Sequence, residues 1–255
     1  MLSDFAGERI WIIGASSGIG EALALLLAGK GAKLILSARR ETMLASLQRN
    51  LPHPSEHQIM TLDVAQPSSI EQALRKAYSD NGMIDRIIYL AAIYHPTSLA
   101  EMDLATAENI IDINLTGTLR FIHFLQPYLP VKGNNNKPQI AICGSVAGYN
   151  GLPQGQPYSA SKAALISLIE SFQAERPDLE IKLISPGFVD TPLTRLNQFT
   201  MPGILSPQQA AIALAAGLQR RGFEIHFPKR VTYCLKLLRF LPYRLYFKLV
   251  QKLRS

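Results

Sequence analysis

Seven residues near the N-terminus, Gly14-Ala15-Ser16-Ser17-Gly18-Ile19-Gly20, narrow the folds open to this chain more than any others. They follow an apolar run, Arg9-Ile10-Trp11-Ile12-Ile13, and lead into Ile19, Ala22, Leu23, Leu26 and Leu27, which recur at helical spacing. Glycines between a buried strand and a helix let the backbone turn tightly, and a pyrophosphate can then lie on the amides of the helix N-terminus. The spacing is G-x-x-x-G-x-G rather than the commoner G-x-G-x-x-G, and an ordinary glycine-rich turn is the competing reading.

The alternation continues along the chain. Short apolar runs at Lys33 to Ser37, Gln58 to Leu62, Arg86 to Leu90, Gln139 to Cys143, Glu180 to Ser185 and Glu224 to Phe227 read as further strands. Helical spacing is expected over Thr42 to Leu51, around Ile70 to Tyr78, from about Thr106 to Tyr128, from about Tyr158 to Glu175, and from Pro207 to Gly222. A polar loop, Lys132 to Pro138, precedes the fifth strand. Seven strands alternating with helices predict an α/β chain: a single-domain Rossmann fold with a doubly wound parallel sheet covered on both faces.

Charge divides the chain into two parts. Of 26 Lys and Arg, eight lie in residues 229–255, which contain no acid, leaving 18 basic against 19 acidic residues before them. The expected organisation is therefore a nearly neutral dinucleotide-binding catalytic unit, residues 1–228, and a basic tail, residues 229–255. Two cysteines, Cys143 and Cys234, cannot make a disulfide framework and read as reduced thiols of a cytosolic protein. Asp4, Glu8 and Arg9 argue against a secretory leader, and no apolar run reaches the roughly 20 residues of a membrane span.

About 20 residues past the glycines, at the end of the second strand, an acid would hold the ribose of NAD. The chain has Ala38, then Arg39 and Arg40. With no carboxylate to repel a 2′-phosphate and a guanidinium to pair with it, the expected cofactor is NADP(H), bound through Arg39; a solvated helix start is the other reading. Asp63-Val64, after the third strand, could accept from an adenine amino group, and a helix-capping Asp fits the same residue.

Tyr158-Ser159-Ala160-Ser161-Lys162 places a phenol and an ammonium on one helix face. A phenol of ordinary pKa near ~10 is a poor acid-base group at neutral pH, and an ammonium beside it is expected to lower that value. Thirteen residues earlier, Gly144-Ser145-Val146-Ala147-Gly148 sets a hydroxyl just past a strand's C-terminal end, where open α/β sheets bind ligands. Tyr158 reads as acid and base, and Ser145 as the partner of a substrate carbonyl.

Over residues 6–228 the chain resembles the short-chain dehydrogenase/reductase family. The family's glycine motif falls on Gly14, Gly18 and Gly20, its serine on Ser145, its tyrosine on Tyr158, its lysine on Lys162 and its asparagine on Asn114. Pro186-Gly187-Phe188-Val189-Asp190-Thr191 resembles the segment that meets the nicotinamide, with Thr191 at the carboxamide. The resemblance implies a cofactor wall of Gly14, Ser16, Ser17, Gly18, Ile19, Gly20, Arg39, Asp63, Val64, Ala91, Ala92, Tyr158, Lys162, Pro186, Gly187, Val189 and Thr191. It implies hydride transfer between the nicotinamide and a carbonyl or alcohol carbon, Tyr158 supplying the proton, Lys162 also binding the ribose, and Asn114 holding a relay water. One motif departs: Tyr89-Leu90-Ala91-Ala92 stands where the family has Asn-Asn-Ala-Gly.

The five histidines, His53, His57, His95, His123 and His226, have no metal-ligand spacing, so no metal is expected. Cys143, on a buried strand, reads as inert core. Pro192, Leu193, Leu196, Phe199 and Met201 suggest only that the substrate is hydrophobic. In the tail, leucines alternate with Lys and Arg at helical spacing, and Pro242 is expected to separate two short helices. A surface pair on an anionic membrane, a cover over the substrate pocket or dimer partner, and, on charge alone, nucleic-acid binding compete there, the last weakest. Ile110, Ile111, Phe121, Phe124 and Leu125, with Leu165, Ile166, Leu168, Ile169 and Phe172, exceed one apolar stripe per helix and predict a homodimer. An NADP(H)-dependent oxidoreductase and a cofactor-binding scaffold without turnover are the two function classes, and the intact Ser, Tyr and Lys set favours the first.

Overall fold

The computed structural model describes residues 5–79, 83–131, 137–197 and 201–252. Residues 132–136 of the polar loop, Phe199, Leu253 and Arg254 lie outside the described residues.

Seven parallel strands form one sheet: β1 (Arg9–Ile13), β2 (Lys33–Ala38), β3 (Gln58–Thr61), β4 (Arg86–Tyr89), β5 (Gln139–Cys143), β6 (Glu180–Pro186) and β7 (Glu224–Phe227). Their order is β3-β2-β1-β4-β5-β6-β7. Winding starts at β1, runs outward to β3, and returns to the other side of β1 with β4. The ends of β1 and β4 therefore open a crevice at their C-terminal side, where such sheets bind ligands.

The strands read as continuous apolar runs because both faces are covered. In β1 the two-residue period sends Trp11 and Ile13 into one core layer and Ile10 and Ile12 into the other, all four essentially inaccessible. Helices α1 (Gly18–Ala28), α2 (Glu41–Arg49) and α7 (Pro207–Leu218) contribute Leu23, Leu44 and Leu214 to the Ile10 layer. Helices α3 (Pro67–Ser79), α5 (Gly117–Leu125) and α6 (Tyr158–Glu175) contribute Leu74, Phe121 and Leu165 to the Trp11 layer. The start expected for α7 at Pro207 is fixed by a capping box, Ser206 and Gln209 each holding the other's backbone amide.

The helix expected from about 106 to 128 is present and runs without a gap from Leu104 to Tyr128, though not as a regular α-helix throughout. It is α4 (Leu104–Ile111), a π-helical turn over Asp112–Thr116, α5, and a short 3₁₀ turn over Gln126–Tyr128. The widened turn surrounds Asn114, whose main-chain carbonyl accepts from the Thr118 hydroxyl at 2.8 Å. Seven of the ten residues that suggested a dimer, Phe121 and Phe172 among them, are buried within a single chain.

The tail forms α8 (Lys229–Leu238) and α9 (Tyr243–Lys252), separated at Pro242 as expected. Both are fastened to the segment that follows β5. Asn150 donates to the Leu235 carbonyl at 2.7 Å, and the Tyr246 hydroxyl donates to the Gly151 carbonyl at 2.5 Å. Glu224 on β7 accepts from Lys236 and from the Tyr149 hydroxyl. Burial raises the Glu224 carboxyl, but the hydrogen bonds from Lys236 and Tyr149 outweigh it and hold it below the usual range.

Candidate active site

A cavity of about 1060 Å³ runs along the C-terminal ends of the strands, from the glycine turn to the tail helices. Every cofactor residue expected from the sequence lines it. At the glycine turn the fit is steric. Gly18 has a φ of +60°, and a Cβ there would stand 2.9 Å from the Thr191 methyl group. A Cβ on Gly20 would stand 2.2 Å from the Gly14 carbonyl oxygen, so the first turn of α1 could not close against the end of β1. The Ser17 N-cap makes no side-chain cap bond, so no cap side chain occupies the first amides of α1, and Ser17, Gly18, Ile19 and Gly20 all line the cavity.

Arg39 and Arg40 are exposed and both line the cavity beside Ala38. Arg40 donates to the Ser16 hydroxyl at 3.0 Å and so ties the end of β2 to the glycine turn. Arg40 went unassigned as a site residue because sequence spacing alone does not separate two adjacent arginines. Asp63 lines the cavity, and its Oδ1 also accepts from the Ala65 amide at 3.0 Å, a local turn ahead of α3 rather than a helix cap.

Ser145, Tyr158 and Lys162 meet on one wall. Helical spacing puts Tyr158 and Lys162 one turn apart, with the Lys162 ammonium 5.5 Å from the phenol ring centre. Gly148 lets the turn after Ser145 lie on α6: a Cβ there would meet the Lys162 carbonyl carbon at 2.7 Å. The expectation that Lys162 lowers the Tyr158 phenol does not hold. Burial raises the phenol, the neighbouring Cys143 thiol adds to the rise, and a hydrogen bond with Ser145 pulls the other way. Lys162 is itself buried, which lowers its ammonium, and it donates to the Cys143 carbonyl at 2.8 Å.

Asn114 stands behind this wall rather than in it. Its side chain accepts from the Ile93 amide at 2.8 Å and donates to the Ile93 carbonyl at 2.9 Å. It thus braces the segment after β4, where the usual asparagines are replaced by Tyr89 and Leu90. Tyr89 instead fills the core, its ring 5.3 Å from that of Phe121.

Sequence reasoning missed Tyr94, whose ring meets the Tyr158 ring edge-on at 4.9 Å and whose hydroxyl donates to Asn197 at 2.6 Å. Its one signal was an aromatic residue in the turn after β4. The far wall is built from the tail: Val231, Leu235, Leu238 and Leu249 face the cavity with Leu193 and Phe188. An amphipathic pattern shows that a helix covers something, but not what.

The family model for short chain dehydrogenases matches residues 8–200. An uncharacterized oxidoreductase of Staphylococcus epidermidis is 32% identical over 214 residues, 83% of this chain and 91% of that protein. An 11-beta-hydroxysteroid dehydrogenase A of Sesamum indicum is 34% identical over 197 residues, 75% of this chain and 55% of that protein. Among solved structures, an alcohol dehydrogenase of the archaeon Thermococcus sibiricus, complexed with 5-hydroxy-NADP, superposes with a TM-score of 0.77 at 27% identity, covering 86% of this chain and 95% of that one.

Proposed function

The chain belongs to the short-chain dehydrogenase family and is an oxidoreductase of that type, and on that premise we propose that it transfers hydride between NADP(H) and a carbonyl or secondary alcohol of a hydrophobic substrate. The observation that carries this reading is the meeting of Ser145, Tyr158 and Lys162 on a cavity that continues into the glycine turn. When bound, the nicotinamide supplies or accepts the hydride.

The chain's own residues do the rest. The amides of α1 and the turn at Gly14, Ser16, Ser17, Gly18, Ile19 and Gly20 receive the pyrophosphate, and Arg39 and Arg40 pair with a 2′-phosphate. Thr191, with Pro186, Gly187 and Val189, orients the nicotinamide, and Asp63, Val64, Ala91 and Ala92 flank the adenosine and ribose. In reduction Tyr158 donates its hydroxyl proton to the forming alkoxide, and Ser145 holds the oxygen. Lys162 binds the ribose and, by donating to the Cys143 carbonyl, holds α6 against the end of β5. Asn114 keeps the Ile93 segment in place beneath them.

The apolar far wall selects a hydrophobic substrate, in keeping with the likeness to a hydroxysteroid dehydrogenase. In this reading residues 1–228 supply cofactor site and chemistry in the cytoplasm, while α8 and α9 of the tail, residues 229–255, roof the cleft and touch anionic membrane at its periphery. A homodimer through α4, α5 and α6 belongs to it as well, supported by Leu104 and Leu119, which stay exposed on α4 and α5. Oxidation of NADPH and of NADH by the full chain, over a panel of aldehydes and ketones of increasing apolar length, tests the reading. Turnover with NADPH that improves with apolar length is expected, and no turnover with any carbonyl would overturn it.

A further inference from the structure

Helices α8 and α9 cover the cleft with one side and leave the other bare. Among the described residues seventeen large apolar side chains are exposed, and seven of them fall between Tyr233 and Leu249. Phe240, in the turn between the helices, and Tyr243, the first residue of α9, are the most open of the seven, at 82% and 77%. Exposed apolar surface gathered in this way marks an interaction site, whereas single exposed leucines do not.

The charges carried by these two helices are of one sign. Lys229, Arg230, Arg239, Arg244 and Lys248 are exposed, and residues 229–255 contain no acid. On α9, Tyr246 and Val250 are buried against the body, the flanks carry Tyr243 with Phe247 and Leu245 with Leu249, and Arg244 and Lys248 lie on the remaining arc. The Tyr243 and Phe247 rings stack at 5.8 Å, side by side on one flank. Aromatic residues among cations suit the boundary between headgroups and acyl chains. A second copy meeting this patch across a two-fold axis would set cations against cations. Each helix has ten residues, and no helix among the described residues is long and apolar enough to cross a membrane, so contact would be from one side.

The patch also adjoins the mouth of the cleft. Arg230, Cys234 and Leu249 are exposed and line the cavity, which makes them its rim. We propose that α8 and α9 seat the protein on an anionic lipid surface with the rim of the cleft against it, so that the substrate is an apolar carbonyl or alcohol compound dissolved in the bilayer and taken up from there. The uptake half rests on the reading of this cavity as the substrate site; the docking half does not.

Co-sedimentation of the full chain with phosphatidylcholine vesicles, with and without phosphatidylglycerol, at low and high salt, tests docking without turnover. Binding that requires phosphatidylglycerol and is released by salt is expected. The triple variant Arg239→Glu/Arg244→Glu/Lys248→Glu, none of whose side chains lines the cavity, should bind more weakly by on the order of a hundredfold. Phe240→Ser should also lose binding, with an unchanged melting temperature showing that the fold is intact. No sedimentation of the wild type, or equal sedimentation of the triple variant, would overturn the proposal, as would concentration-dependent self-association through Phe240 without vesicle binding. For uptake, a long-chain aldehyde loaded into phosphatidylglycerol vesicles should be reduced faster by the wild type than by the triple variant, and equal rates would overturn that half. A protein that docks but reduces no carbonyl, free or loaded, leaves docking standing and removes the reductase reading instead.

Discussion

The buried Lys162 ammonium donates to the main-chain carbonyl of Cys143 at 2.8 Å, one residue before the loop that carries Ser145. One side chain thus ties the tyrosine helix to the end of β5, holding Tyr158 and Ser145 on the same wall. Replacing Lys162 with Met should abolish turnover and weaken cofactor binding together. Leaving the Cys143 carbonyl without its partner adds a stability loss of about 1–3 kcal/mol. Retained NADPH affinity by fluorescence titration would contradict the role given to Lys162.

Cofactor choice should follow the two arginines. Arg39→Ala is expected to weaken NADPH by about 1.5–3 kcal/mol, the worth of a charge-assisted hydrogen bond, while sparing NADH. Arg40→Ala should weaken both cofactors, since Arg40 also holds the glycine turn through Ser16. Equal affinity of the wild-type chain for NADH and NADPH would defeat the assignment.

Much of this site could be read from the sequence, because its chemistry depends on local spacing. The glycine turn, the Tyr158 and Lys162 pair, and Ser145 lie within single strand-turn-helix units, and strand alternation placed them at one end of a parallel sheet. What could not be read depends on contacts between distant segments. Tyr94 reaches Asn197, Asn150 reaches Leu235, and Tyr246 reaches Gly151, and no periodicity encodes such pairings. The long helix was legible from its apolar spacing, but the π-helical turn around Asn114 was not, because that spacing does not register a change of turn within a helix.

Alkali should destabilise the fold before it destroys the backbone. Burial pushes Tyr78 up to about 12 and raises Tyr89, Tyr149 and Tyr158 as well. The folded chain therefore keeps protons that the unfolded chain releases near pH ~10. This stability is complete below that pH and is lost as pH rises through the folded values. Melting temperature should fall steeply above about pH 10, with tyrosinate absorbance rising as the chain unfolds. Four native tyrosines ionising near pH ~10 without unfolding would contradict it.

The roof should behave as part of the cleft. Tyr246→Phe removes the bond to the Gly151 carbonyl and is expected to cost about 0.5–1.5 kcal/mol, read as a lower melting temperature. It should raise KM for an apolar substrate more than it lowers kcat, because the change loosens the wall and leaves Tyr158 untouched. A change in kcat alone would place α9 outside the substrate site.

The assignment of Tyr158 as the proton donor is tested most directly by Tyr158→Phe, assayed by single-turnover reduction of a carbonyl that the wild type accepts. Losing the hydroxyl that faces the cavity on the same wall as Ser145 should slow the step by roughly a hundred- to ten-thousandfold. NADPH affinity should stay unchanged, since Lys162 and the glycine turn remain. Single-turnover rates near those of the wild type would mean that the proton comes from elsewhere and that the mechanism built on Tyr158 is wrong.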